Sequence, residues 1–216
     1  ENRPTTHKTR VLASRLHHVV RIDKEDTRPL SNELKKLVID KCKKMISWSD
    51  IIILEDYAKG FFSKGIAEQI IEICKKNKKP VFVDPSRYSD PLIYKSATLL
   101  KPDLDESKAI ANYKSYQDGD IEDLGKIILK NLDLENLLIT RGKAGMSVFD
   151  KDGVVKNIPA FALEVFDVSG AGDTVIATLA LAYIAGASIY DSSLFANAAA
   201  AIVVGKVGTA VVTKEE

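Results

Sequence analysis

The sequence predicts an α/β layer structure with a largely parallel sheet. Three observations predict it. Short apolar runs bounded by polar residues alternate with amphipathic stretches at helical spacing, the order that builds parallel strands joined by crossover helices. Hydrophobic residues fill 45% of 216 positions and charged ones 28%, the balance of a globular domain rather than of a disordered chain. No internal repeat or low-complexity tract breaks the alternation.

The elements follow in order. Residues 9–23 alternate and are rich in Val, Leu and His, ending Val19-Val20-Arg21-Ile22-Asp23, which reads as one or two strands. Residues 30–45 place Leu34, Leu37, Val38, Cys42 and Met45 on one helical stripe, with Ser31 or Asn32 as N-cap. Residues 50–56 (Asp-Ile-Ile-Ile-Leu-Glu-Asp) read as a strand buried on both faces of a parallel sheet. Residues 63–76 read as a second amphipathic helix, and 80–84 (Pro-Val-Phe-Val-Asp) as another buried strand. Residues 96–100 continue into Lys101-Pro102; helices follow over 105–112 and 121–131, then a strand over 137–140. Residues 146–150 and 154–158 flank Lys151-Asp152-Gly153, a hairpin signal. The helix predicted over 173–185 is apolar nearly all round, hence buried, and Gly186 stops it. Asp191 is expected to cap an alanine-rich helix over 192–204.

Bulk properties exclude several classes. A formal net charge of +1 argues against a nucleic-acid surface. The lysines at 41–44 and 75–79 sit where helices end and read as solvated faces. Cys42 and Cys74 have neither metal-ligand spacing nor a disulfide framework, and His7, His17 and His18 have no second ligand at metal-site spacing. The apolar run over 175–185 is too short to span a bilayer, and no targeting segment is visible, so a cytoplasmic protein with no membrane partner is expected.

In a parallel sheet, ligands bind beyond the carboxyl ends of the strands. Asp56, Asp84, residues 101–106, 140–145 and 169–173 all follow strand-like runs and are expected on one rim. Gly170-Ala171-Gly172-Asp173 opens a helix whose first amides lack intrahelical partners. Small residues there let an anion approach, and the carboxylate can accept a proton; the alternative is a tight turn with Asp favouring the helix dipole. Thr140-Arg141-Gly142-Lys143-Ala144-Gly145 is either a phosphate-lining turn or a hairpin loop with glycines at positive φ. Asp103-Leu104-Asp105-Glu106 either holds Mg²⁺ through water or forms an N-terminal capping box. Asp56-Tyr57-Ala58-Lys59-Gly60 either meets a sugar phosphate or closes a loop leading to a helix. The glycine pattern lacks the third glycine of a dinucleotide fold, no Walker loop is present, and no G-x-S-x-G marks a hydrolase.

Residues 167–174, Asp-Val-Ser-Gly-Ala-Gly-Asp-Thr, resemble the C-terminal signature of the ribokinase-like (PfkB) carbohydrate kinases. Asp103…Glu106 lies where that family has Asn-x-x-Glu, and Thr140-x-Gly142-x-x-Gly145 resembles its nucleotide loop; the likeness runs the length of the chain in the family's order. Within the family, the chain most resembles the D-glycero-D-manno-heptose 7-phosphate kinases, through Arg21-Ile22-Asp23-x-Glu25, Asp56-Tyr57-x-Lys59-Gly60, Asp84-Pro85 and residues 196–209.

The resemblance implies a ribokinase-like three-layer α/β/α fold. Residues 1–25 are the remnant of a β lid, and 26–216 the core with the ATP site and the catalytic aspartate. It implies Asp173 as general base toward the sugar's anomeric hydroxyl, with Gly170, Ala171 and Gly172 as the anion hole. ATP is expected along Thr140, Gly142, Gly145, Asn197, Lys206 and Gly208, the sugar phosphate at Asp56 and Lys59, and Mg²⁺ at Glu106 through water and at Asp103. A monovalent cation, a homodimer through the lid, and a fused or separate adenylyltransferase are implied as further partners. The product the resemblance implies is the heptose 1,7-bisphosphate, a precursor for ADP-heptose and the lipopolysaccharide core. Two positions depart: Asp103 stands for the family's Asn, and Ser86 where heptose kinases have Lys. The family's N-terminal part, with a Gly-Gly motif and much of the sugar site, is expected to be missing, which would leave the fragment alone inactive. The other readings are a different sugar (ribose, fructose or a nucleoside) and a nucleotide-binding module without catalysis.

Overall fold

The computed structural model describes residues 3–13, 18–112, 120–161 and 165–216. The chain opens with a hairpin of β1 (His7–Leu12) and β2 (His18–Lys24), paired antiparallel as a sheet of its own. The two strands overlap the expected strand region 9–23, β1 starting two residues before it and β2 ending one after it; residues 14–17 between them, including His17, lie outside the described residues.

The main sheet has six strands: β3 (Ile52–Glu55), β4 (Val81–Asp84), β5 (Leu99–Leu100), β6 (Asn136–Thr140), β7 (Met146–Asp150) and β8 (Val155–Ile158), side by side in chain order. The first four run parallel; β6, β7 and β8 pair antiparallel, so residues 146–158 form the expected hairpin. Among the described residues, six α-helices flank the sheet: α1 (Asn32–Ile46), α2 (Ala67–Lys76), α3 (Leu104–Ile110), α4 (Ile121–Leu132), α5 (Ala171–Ile184) and α6 (Ile189–Val204).

Successive strand residues feed two cores. Val81, Val83, Leu100, Leu137 and Ile139 pack with Ile39, Ile46, Ile70, Leu124 and Ile128 of α1, α2 and α4. Phe82, Leu99 and Leu138 point the other way, onto Val175, Ile176, Leu179 and Ala196 of α5 and α6. A strand apolar at every position therefore buries both faces, and the result is three layers, α/β/α.

Several boundaries differ from the sequence expectation for identifiable reasons. β3 is not buried on both faces: it is the edge strand, and Ile53 is 39% exposed. α2 starts at Ala67 rather than 63, after a turn in which Gly65 takes φ +95°. α5 buries Val175, Ile176, Leu179 and Ala180 but leaves Leu181 66% exposed, so its apolar outer face is not core. α6 is capped by Ser188, not Asp191; Asp191 is the third helical residue, its N–H donating to Ser188 Oγ at 3.1 Å. Residues 165–170 before α5 form no strand, so the segment 169–173 reaches the rim from a loop rather than from a strand end. Ser31 caps α1, and the lysines at 43–44 and 75–76 fall in last turns as expected. Cys74 is buried and Cys42 half-buried; both are free.

Candidate active site

α5 begins at the rim with Gly170 as N-cap, and no side chain caps it. The first bond of its ladder runs from Thr174 N–H to Gly170 O at 2.9 Å, so the amides of 171–173 precede it. The Ala171 N–H is turned onto Val168 O at 3.2 Å, which leaves Gly172 and Asp173 as the helix's outward donors. Asp173, in the first turn, is exposed.

A cleft of about 660 Å³ runs from these amides between β6, β7 and α6. Of the expected ATP residues, Thr140, Gly142, Gly145 and Asn197 line it, together with Ala171 and Gly172. Val168, Val175, Ala200 and Val204 supply an apolar wall. Volume, apolar wall and amide-lined end fit a nucleotide. Asn197 is buried and donates to Pro159 O at 2.7 Å, which fixes α6 against the chain leaving β8. Lys206 and Gly208 are outside the cleft wall. Lys206 reaches Glu216 at 2.6 Å and Val211 O at 2.9 Å, and Gly208 lies in the turn after α6, where neighbouring Thr209 packs on Gly170.

The segment 140–145 is the β6–β7 hairpin loop, and it lines the cleft. Gly145 takes φ +84°, and a Cβ there would sit 2.0 Å from Ile158 O. Gly145→Ala is expected to cost about 3 kcal/mol or more through strain and backbone displacement, read as a lowered denaturation midpoint; an unchanged midpoint would show that this approach of the two loops does not exist.

Asp103 and Glu106 form a full capping box at the start of α3: Glu106 N–H donates to Asp103 Oδ1 at 2.7 Å and Asp103 N–H to Glu106 Oε2 at 2.8 Å. Each carboxylate keeps a second oxygen, a hard donor of the kind Mg²⁺ takes through water. Burial, joined by the charges of Asp103 and Asp84, pushes the Glu106 carboxyl up to about 7, a group that a divalent cation would draw into its charged form.

Asp56 is buried, with its carboxylate occupied by protein donors: the Ala58 N–H at 2.8 Å and the hydroxyls of Ser89 and Tyr94. It pins the turn over 56–60 to the fold. Lys59 pairs with Glu25 at 2.6 Å, just beyond the hairpin.

Asp84, Lys101 and Asp173 reach one rim as the sequence predicts, and Glu55, which the sequence analysis does not place there, joins them at its centre. Glu55, Asp84 and Asp173, from the ends of β3 and β4 and the start of α5, bring carboxylate oxygens within 4.8 Å of one another. Lys101, at the end of β5 and 3% exposed, meets Asp84 at 2.7 Å. Its ammonium and the Asp84 carboxylate also lie behind the backbone that opens α5, 3.4 and 3.6 Å from where a Cβ on Gly172 would stand. Burial, then the neighbouring Asp84 charge, pushes Glu55 up to about 9; burial also raises Asp84, and Lys101 opposes that push. Tyr57 closes the group by donating to Asp173 Oδ1 at 3.3 Å. The signal for Glu55 is a charged residue directly following the apolar run Ile51-Ile52-Ile53-Leu54.

Comparisons with known proteins agree with this architecture. The model for the pfkB family carbohydrate kinases matches residues 4–215. The chain is 37% identical over 216 residues to the bifunctional protein HldE of Nitratiruptor sp., and 39% over 214 residues to that of Geobacter metallireducens. It is covered fully or to 99% but spans only 45% and 43% of those proteins. Among solved structures, phosphofructokinase-2 from Escherichia coli in complex with potassium superposes with a TM-score of 0.76 at 18% identity, covering 87% of this chain and 60% of that one. Ribokinase of Arabidopsis thaliana, complexed with ribose and ATP, gives 0.71 at 23% identity, with coverages of 96% and 65%. These two likenesses speak for the fold.

Proposed function

The chain belongs to the pfkB family of carbohydrate kinases, and from that premise we propose that it transfers a phosphoryl group from ATP to a sugar hydroxyl, the anomeric hydroxyl of D-glycero-D-manno-heptose 7-phosphate being the acceptor the sequence favours. The observation that carries this reading is the start of α5, where open amides and the Asp173 carboxylate stand between the cleft and the turn over 56–60. ATP would supply the phosphoryl group, and Glu106 and Asp103 would hold Mg²⁺ through water, where the ion would neutralise phosphate charge.

The chain's own residues then have separate tasks. Gly172 and Asp173 N–H groups, at the positive end of α5, hold the oxygens of the moving phosphoryl, with the Lys101 ammonium behind them. Asp173 takes the proton of the acceptor hydroxyl. A carboxylate at a helix N-terminus is a weak base, which suffices because a loose phosphoryl-transfer transition state needs little early proton removal. Protonated Glu55 leaves the rim with less negative charge to repel the phosphoryl. Lys59, on the hairpin side, is the cation a sugar phosphate would recruit from Glu25, and Asp56 holds its turn in place. The hairpin acts as the lid, and its exposed Val11, Val19, Val20 and Ile22 offer a face for a second copy. The chain spans less than half of relatives named bifunctional, and an adenylyltransferase is the second activity the resemblance implies.

The test is ADP release by the chain with the family's N-terminal part restored ahead of it, given heptose 7-phosphate, ribose, fructose and a nucleoside in turn. Turnover highest with heptose 7-phosphate is expected. Preference for another sugar would replace the substrate, and nucleotide binding without turnover on any of them would replace the activity.

A further inference from the structure

Tyr57 has no part in the roles assigned above, yet it touches both halves of the site. Its hydroxyl donates to Asp173 Oδ1 at 3.3 Å across 116 positions of sequence. Its ring, on the other side, carries the Lys8 ammonium from β1 at 5.2 Å from the centroid. Burial and the charges of Glu55 and Asp173 hold the phenol's titration above its usual range, so it remains a donor.

The turn that carries Tyr57 is tied at three further points to the segments that flank the hairpin, before β1 and after β2. Lys59 pairs with Glu25. Arg3 donates to the carbonyls of Asp26, Arg28 and Lys59, joining the chain before β1 to the turn itself. Gly60, at φ +73°, lies flat on the Thr27 and Arg28 carbonyls, where a Cβ would come within 2.3 Å of Arg28 O. On its inner side the turn is pinned by Asp56 to Ser89 and Tyr94. A displacement of the hairpin therefore reaches Tyr57 directly, while the base it touches stands on the separate frame of α5.

Resting on the kinase reading, we propose that Tyr57 is a positioning residue for Asp173 and couples the β1–β2 hairpin to it, through the Lys8–Tyr57–Asp173 contacts. Asp173 is exposed at a helix start, and its side chain is free to rotate there; the phenol fixes it toward the acceptor side. A donor also weakens a base, but for a loose transition state orientation weighs more than basicity.

The experiment is a double-mutant cycle in the full chain. Tyr57→Phe keeps the ring under Lys8 and removes the hydroxyl; kcat should fall about tenfold with KM for ATP within about twofold. Lys8→Met should lower kcat about threefold in the parent and leave it unchanged in a Tyr57→Leu background. An unaltered kcat in Tyr57→Phe, or equal effects of Lys8→Met in both backgrounds, overturns the proposal. Hydrogen exchange separates this from a failure of the kinase reading. Even in a chain without turnover, Tyr57→Leu should speed exchange of the hairpin amides at 7–12 and 18–24, and unchanged exchange there overturns the coupling by itself.

Discussion

Asp173→Asn lowers kcat by about 10²–10⁴-fold while leaving the affinity for ATP within about threefold. The magnitude is that of a positioned proton acceptor, and the variant isolates it. Asn has the shape of Asp and can still accept from Tyr57, so the geometry at the start of α5 is kept. Asp173 is exposed, so no buried charge is lost; the folding cost is the dipole interaction, about 0.3–1 kcal/mol. The cleft residues Thr140, Gly142, Gly145 and Asn197 are untouched. Kinetics and nucleotide titration on the same preparation check it. A variant that keeps its kcat would remove Asp173 from the proton-acceptor role and leave the amides as the site's whole contribution.

Lys101→Met destabilises the fold by about 3–5 kcal/mol, because Asp84 remains buried with its charge uncompensated. For a domain of this size that is a fall of roughly 6–20 °C in Tm. The pH dependence has a definite sign. Burial raises Asp84 above its unfolded value, and in the parent Lys101 opposes that push. Without the ammonium, the folded carboxyl prefers its protonated form more strongly. The stability deficit is therefore smallest in acid and grows as pH rises through the folded Asp84 titration. Asp84→Asn added to Lys101→Met should recover at least half of the loss, since the stranded charge is then gone. Thermal melts of the three variants across pH check this. A double variant no more stable than Lys101→Met would show that the cost lies in packing and not in the charge.

The fold was legible because its signals are local. The stripe at Leu34, Val38 and Cys42, the run Val81-Phe82-Val83 and the turn Lys151-Asp152-Gly153 each specify one element, and all three formed where expected. Periodicity does not report which strand ends a sheet, so β3 and Ile53 were misjudged; an edge strand and a central one can share the same apolar run. Nor does it separate two adjacent capping residues, so Asp191 was taken where Ser188 serves.

The candidate site was half legible for the same reason. Gly170-Ala171-Gly172-Asp173 and the 140–145 loop are contiguous, and both reached the cleft. The Glu55, Asp84, Lys101 and Asp173 group is not contiguous; only the parallel order of β3, β4 and β5 brings these side chains together. Asp56 shows the converse, since its place beside Lys59 hid the fact that Ser89 and Tyr94 would occupy it.

The strand order β3-β4-β5-β6-β7-β8 has a consequence for how the protein is made. Domains form progressively while the chain leaves the ribosome. Here every strand that emerges finds its neighbour already at the growing edge, and none has to wedge between two strands that have already paired. The sheet can be laid down in the direction of translation, and α5 and α6, made after the six strands, close the remaining apolar face over Phe82, Leu99 and Leu138.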